Sequence, residues 1–180
     1  TLALVGMSGG GKTSLVNLIP RLYDVTGGGV FVGGCDVRDL TIASLRDHIS
    51  IVTQEPILFN ETVRDNIRYG KMDADDAAVE AAAKAAFAHD FICGFPKGYD
   101  TVIGELGSRL SGGEKQRICI ARSLIKQASV YLFDDSFSAV DYLTESKLRK
   151  KLNKYLEGKT QLIITQRAAT AMRCDRIFVL

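Results

Sequence analysis

An α/β fold built on a mostly parallel sheet is predicted by three observations. Short apolar runs with strand character, at 2–5, 49–52, 130–133 and 161–165, alternate with helical patterns. The first of them leads straight into Gly6-Met7-Ser8-Gly9-Gly10-Gly11-Lys12-Thr13, which fits G-x-x-x-x-G-K-[S/T] and opens a helix. The run at 130–133 ends in two carboxylates, Asp134 and Asp135. A small antiparallel β element and a helix-rich portion are expected beside this core.

The elements follow in order. Leu2-Ala3-Leu4-Val5 reads as a buried strand, and Ser14 to Leu22 as a helix carrying Leu15, Leu18, Ile19 and Leu22 on one face. Gly27-Gly28-Gly29 breaks the chain. Val30-Phe31-Val32, Gly33-Gly34 and Cys35-Asp36-Val37 then form a hairpin pattern. Ile49-Ser50-Ile51-Val52 is a second strand for the main sheet. Residues 74–93 are Ala-rich with Asp75, Asp76 and Glu80 early, which suits a helix N-terminus. Residues 94–110, with Gly94, Pro96, Gly98, Gly104 and Gly107, read as a loop. Helices are predicted over 112–127 and roughly 142–156, flanking the strand at 130–133 and preceding that at 161–165. We expect one domain over 1–180, with an α/β core at 1–59 and 128–180 and a helical portion at about 60–127. Thr1 opens in mid-strand and Phe178-Val179-Leu180 is strand-like, so the chain is expected to be truncated at both ends.

Composition narrows the class. The 180 residues are 46% hydrophobic and 24% charged with a net charge of +2, the profile of an ordinary globular chain without a basic nucleic-acid surface. Cys35, Cys93, Cys119 and Cys174 form no C-x-x-C pair and only two histidines are present, so a zinc site is not expected. His48 and His89 read as surface or packing residues, Cys119 as a small core residue, and the Lys and Arg at 147–154 as a solvated helix face. No apolar run approaches the roughly 18–20 residues that cross a bilayer.

The glycine-rich turn carries the chemistry. Between a strand and a helix it presents backbone N–H groups to an anion, and the helix start adds its positive end. Lys12 is placed to reach the β- and γ-phosphates of a nucleoside triphosphate, and the Thr13 hydroxyl to ligate Mg²⁺; Ser14 follows at the helix start. A carboxylate at the carboxyl end of a sheet strand is where such a site holds Mg²⁺, which assigns Asp134 to the metal. Further on, Leu110-Ser111-Gly112-Gly113-Glu114-Lys115-Gln116-Arg117 opens the helix at 112. Ser111 is the N-cap, Glu114 completes an S-x-x-E capping box, and Gly112 and Gly113 leave backbone N–H groups open to an approaching anion.

That second motif, followed by Ile120-Ala121-Arg122, resembles the signature of the ATP-binding cassette (ABC) family, whose core is a P-loop NTPase fold. The resemblance extends over nearly the whole chain. Gln54 looks like the Q-loop residue that senses Mg²⁺ near the groove docking the membrane domain. Asn60-Glu61-Thr62-Val63-Arg64-Asp65-Asn66-Ile67 resembles the exporter branch. Gly104-Glu105-Leu106-Gly107 looks like the exporter X-loop, with Leu106 where a basic residue is usual, and Ser138-Ala139-Val140-Asp141 matches the D-loop. The resemblance implies that two cassettes bind head to tail, each ATP lying between one chain's phosphate loop (Gly6 to Ser14) and the partner's Ser111, Gly112, Gly113 and Glu114. Asp141 belongs to the same nucleotide site. A transmembrane domain is implied against about 54–67 and 104–107, at the cytoplasmic face of a membrane. Tyr23 offers an aromatic face for adenine, but the resemblance places the family's stacking aromatic upstream of the first strand, so weakened adenine affinity is expected.

Two positions depart from the family. The catalytic carboxylate after the Mg²⁺ aspartate is normally Glu and here is Asp135. The switch His is here Gln166, followed by Arg167. Asp is one methylene shorter, and a general base must come within roughly 2.6–3.2 Å of the proton it takes, or act through one water. Gln166 can donate a hydrogen bond but carries no positive charge. The expectation is a cassette that binds Mg·ATP and hydrolyses it slowly at its own loop, like the degenerate half of a heterodimeric exporter. The alternatives are a homodimeric exporter with reduced turnover and a soluble non-transport cassette. A chromosome-maintenance ATPase is disfavoured, since only about 55 residues separate Gln54 from the signature and no heptads are sustained.

Overall fold

The computed structural model describes residues 1–180, which fall into two compact units. The first comprises Thr1–Ile51, Ala128–Asp135 and Lys159–Leu180; the second comprises Val52–Gln127 and Ser136–Gly158. The helix predicted over 142–156, assigned from sequence to the α/β portion, groups with the second unit. Its Lys151 ammonium binds the Lys84 carbonyl (2.6 Å) and lies over the Phe87 ring.

In chain order, β1 (Leu2–Val5) is followed by α1 (Lys12–Asn17), and the hairpin β2 (Phe31–Val32) and β3 (Cys35–Asp36) turns on Gly33-Gly34, both at positive φ. Then come α2 (Ile42–Asp47) and β4 (Ile49–Val52). Four helices follow: α3 (Val63–Arg68), α4 (Asp76–Ala85), α5 (His89–Cys93) and α6 (Gly112–Ile125). The chain closes with β5 (Val130–Asp134), α7 (Tyr142–Tyr155), β6 (Thr160–Ile164), α8 (Ala168–Ala171) and β7 (Arg176–Val179). The main sheet has the order β4-β5-β6-β1-β7, with the β5/β6, β6/β1 and β1/β7 pairs parallel. The parallel sheet and the small antiparallel pair agree with the predicted class.

Why the strands sit where they do follows from burial. Tyr131, Leu132 and Phe133 of β5 are almost completely buried, as a near-continuous apolar run in an inner parallel strand should be. Leu132 joins Leu4, Val16, Val37, Leu45, Ile49 and Ile164 in the core of the first unit.

Two helices differ from the sequence expectation. The helix after the glycine-rich turn stops at Asn17 instead of continuing to Leu22. Pro20 has no N–H to give and its ring crowds the carbonyl four residues back, so Leu18 and Ile19 wind into tighter turns onto the Leu15 and Val16 carbonyls. Leu15 and Leu22 are consequently about half exposed, and Val16 is the buried apolar residue of this helix. The Ala-rich stretch at 74–93 is two helices. Phe87 takes a left-handed φ of 54°, and the Ala88 N–H bonds back to the Ala83 carbonyl, which closes α4 and lets α5 start in a new direction. Helix α6 is buried more fully than an amphipathic surface helix. Ile118, Ile120, Ala121 and Leu124 are all fully buried, so its later turns are enclosed on most sides.

The hairpin edge is pinned by charge. Asp36 accepts from Arg38 Nε (3.0 Å), Nη2 (2.7 Å) and the Arg38 backbone N–H (2.9 Å), and this guanidinium holds its carboxyl down at about 2. A depressed folded value means that the contribution to stability is complete above the ordinary carboxylate range and disappears as pH falls through about 2. In Arg38→Met, the Asp36 carboxyl followed by NMR titration is expected to move up towards the ordinary value of 3.8 without reaching it, since the residue-38 backbone N–H and the Arg21 charge remain.

Candidate functional site

The carboxyl edge of the main sheet collects the first half of the site. Leu4, Ile164 and Asp134 are level across β1, β6 and β5. The chain leaves the three strands locked together: the Thr165 N–H bonds to Leu4 O (3.3 Å) and the Asp135 N–H to Ile164 O (3.1 Å). The glycine-rich turn after β1, the Asp134-Asp135 pair after β5 and Gln166 after β6 therefore leave neighbouring strands on one edge, where ligands of open α/β sheets bind.

The turn itself is shaped for close approach. Gly9 and Gly11 adopt φ of 78° and 82°, in the left-handed region, and a Cβ on either would meet nothing within 4 Å. Both conditions leave backbone open to a ligand rather than packed against protein. Met7, Ser8, Gly9, Gly10, Thr13 and Ser14 are exposed; Lys12 is 7% exposed. The Lys12 ammonium donates to the carbonyls of Met7 (2.6 Å) and Gly6 (3.0 Å), folding over its own loop. An ammonium has three donors, so the third remains for an anion in the cradle. Asp134 is buried at the strand end, Asp135 is half-buried and Gln166 is exposed. Asp135 has φ of 43°, a left-handed conformation that Asp tolerates better than most side chains.

The second unit carries the other predicted residues. Ser111 and Glu114 form the full capping box: the Ser111 N–H donates to Glu114 Oε2 (2.8 Å), the Ser111 hydroxyl donates to the same oxygen (2.7 Å), and the Glu114 N–H points to Ser111 Oγ (3.4 Å). Gly112 has only the Ala139 Cβ near its Cβ position and Gly113 the Ala139 carbonyl, so α6 begins beside the 138–141 turn. Asp141 is the N-cap of α7, accepting from the Thr144 N–H (2.9 Å), and the Thr144 hydrogen bonds hold its carboxyl below the usual range. Gln54 is exposed just after β4.

Sequence reading missed a buried polar hub in this unit. Asn66 is completely buried. Its Oδ1 accepts from the Phe59 N–H (2.9 Å) and Arg122 Nη2 (2.9 Å), and its Nδ2 donates to the Phe59 and Thr62 carbonyls (3.0 Å each). Arg122 also reaches Asn66 O and Ile57 O, both at 2.7 Å, and lies over the Phe59 ring. Burial lowers its pKa from the usual arginine range. The available signal was a lone charge in the run Ile118-Cys119-Ile120-Ala121-Arg122-Ser123-Leu124-Ile125, a place where a cation must find buried acceptors.

Strand-edge loops, an open glycine cradle under a lysine and a capped glycine-start helix together define a nucleotide-binding cassette. The ABC transporter family model matches residues 1–138, and the chain belongs to that family as its ATPase domain. It is 53% identical over 179 residues to the "ATP-dependent lipid A-core flippase" of Syntrophus aciditrophicus (strain SB), covering 99% of this chain and 30% of that protein. It is 45% identical over 180 residues to human "ATP-binding cassette sub-family B member 6", covering all of this chain and 21% of that protein. Among solved structures it matches that of a bacterial Atm1-family ABC exporter with ATP bound, with TM-score 0.96 and 42% identity, over 99% of this chain and 31% of that one. The chain thus spans between about a fifth and a third of the length of these relatives.

Proposed function

We propose that this chain binds Mg·ATP at the carboxyl edge of its sheet and, paired head to tail with a second cassette, powers export of a substrate across a membrane. The observation that carries the reading is the cradle: Gly9 and Gly11 open beneath the buried Lys12. It suits a polyphosphate because backbone donors and one ammonium converge where nothing else fills the space.

The residues take the following parts. Backbone N–H groups from Gly6 to Ser14 bind the phosphates, and Lys12 gives its third donor to the β- and γ-phosphate oxygens. Thr13, Asp134 and Gln54 supply the oxygen donors that a hard cation such as Mg²⁺ prefers; the ion would neutralise the phosphates. Asp135 faces the attacking water as general base, and Gln166 donates a hydrogen bond to the γ-phosphate. Ser111, Gly112, Gly113 and Glu114, with Asp141, complete the ATP site of the partner cassette. The short carboxylate and the neutral switch residue lower transition-state stabilisation more than ground-state binding, so ATP is held longer than it is cleaved. The segments at 54–67 and 104–107 face the membrane domain, whose exposed counterparts here include Ile57, Phe59 and Leu106, and the cassette sits at the cytoplasmic face. Relatives named as flippase and exporter support this reading.

Lys12→Ala is the direct test. A charge-assisted hydrogen bond contributes about 1.5–3 kcal/mol, so the Kd for Mg·ATP is expected to rise roughly 10- to 100-fold by equilibrium dialysis, and the nucleotide-free chain is expected to melt lower because the bonds to the Gly6 and Met7 carbonyls are lost too. Unaltered affinity would remove Lys12 from the site and the proposed cradle with it.

A further inference from the structure

One stripe of the signature helix is fastened to the segment after β4. Positions 116, 119 and 122 of α6 recur at a spacing of three and so lie on one helix face. Gln116 Nε2 donates to the Thr53 carbonyl (3.1 Å), the Cys119 thiol lies 3.8 Å from the Ile57 carbonyl, and Arg122 reaches the same Ile57 carbonyl (2.7 Å). Arg122 also holds Asn66, which in turn binds both backbone groups of Phe59. Gln116 is almost fully buried, and its Oε1 has no hydrogen-bond partner. An apolar residue of that shape would pack there without stranding a side-chain oxygen. The polar residue is therefore costly for packing alone, and what it adds is the bond to Thr53.

The acceptors on the 53–59 side are main-chain carbonyls, so the bonds fix the path of the backbone whatever side chains it carries. A displacement of 53–59 must carry α6 with it, or break several hydrogen bonds at once. Helix α6 is a continuous rod of 14 residues, and its first turn is the signature motif. We propose that Gln116 and Arg122 are positioning residues that couple the 53–59 segment to Ser111–Glu114. This rests on the composite-site reading above. On that reading, the state of the membrane-facing segment is delivered to the ATP held by the other cassette, through this chain's signature.

The experiment is amide hydrogen exchange on the complete exporter in lipid nanodiscs, with and without Mg·AMP-PNP. In the parent, AMP-PNP is expected to slow exchange over 111–115, where the partner's nucleotide seats, and also over 54–59 by at least about fivefold, the low end of ordinary coupling between sites. Gln116→Met removes the donor and the orphaned oxygen together. It should keep the melting temperature and the protection at 111–115, while the response at 54–59 falls below about twofold. Arg122→Lys, which retains the charge but not the forked donor set, should lose the same response at 54–59, with a lower melting temperature because the Asn66 and Ile57 acceptors lose donors. An undiminished response at 54–59 in both variants overturns the proposal. So does a parent in which 111–115 respond and 54–59 do not, or a Gln116→Met that loses both responses together with its melting temperature. Absence of any response at 111–115 in the parent overturns the composite-site reading, and the coupling falls with it.

Discussion

The double variant Asp135→Glu, Gln166→His is expected to hydrolyse bound ATP at least about tenfold faster than the parent in a single turnover. General acid–base catalysis by a well-placed group contributes typically 10²–10⁴-fold, and both substitutions act on that term. The added methylene lets the carboxylate reach the attacking water, and the imidazole can offer a positive charge to the γ-phosphate where Gln166 offers only an amide dipole. The backbone works against the first change. Asp135 sits at φ of 43°, where Glu is less well tolerated than Asp, and the strain is on the order of 1 kcal/mol. A 10²–10⁴-fold contribution corresponds to about 2.7–5.4 kcal/mol of barrier, so at least about tenfold remains even if all of the strain fell on the transition state. The variant should therefore be slightly less stable and clearly faster, with Kd for Mg·ATP nearly constant. A faster rate accompanied by much tighter binding would mean that the substitutions improve the ground state instead.

Asn66→Ala is expected to be the most damaging single change outside the nucleotide site. The side chain is completely buried and makes four hydrogen bonds. Its removal strands the Phe59 N–H and takes one acceptor from the Arg122 guanidinium, whereas the Phe59 carbonyl keeps the Glu61 N–H (2.7 Å). Each such orphan costs about 1–3 kcal/mol, so the two groups together cost about 2–6 kcal/mol. Chemical denaturation should show a lower midpoint with an unchanged slope. Asn66→Asp should rescue only part of the loss. It keeps the acceptor for Arg122 and Phe59, but its carboxylate faces the Phe59 and Thr62 carbonyls where an N–H₂ is required.

The parts of the fold that were legible in sequence are those with a local cause. The strand Leu2–Val5, the turn at Gly33-Gly34, the apolar run ending at Asp134 and the Ser111/Glu114 capping box are each specified by residues within a few positions of one another. Most of the candidate site lies in such stretches, because backbone cradles and caps are built from short-range geometry. Periodicity misled where a breaker lay inside the pattern. Leu15, Leu18, Ile19 and Leu22 have helical spacing, yet Pro20 ends the helix and leaves Leu15 and Leu22 half exposed. The Ala-rich stretch offered no breaker at all, yet Phe87 turns left-handed between the fully buried Ala86 and Ala88. The bonds from Gln116 and Arg122 to the carbonyls of Thr53 and Ile57 span more than sixty residues, and a carbonyl acceptor carries no residue identity to recognise. Only the isolated charge of Arg122 in an apolar helix hinted at them.

The division of labour within the cassette follows from these particulars. On the proposed reading, the cradle under Lys12 holds the triphosphate, and Asp135 and Gln166 are weak versions of the groups that cleave it. The proposed role is then to retain ATP at one site while the intact Ser111–Glu114 start of α6 serves the other.

That claim is tested most directly by single-turnover hydrolysis in the complete exporter. Limiting γ-labelled ATP is bound at this cassette, and the fraction recovered as phosphate is followed beside the Asp135→Glu, Gln166→His variant. The account predicts that the parent still holds mostly uncleaved ATP when the variant has converted most of its own. Cleavage by the parent at the variant's rate would contradict it.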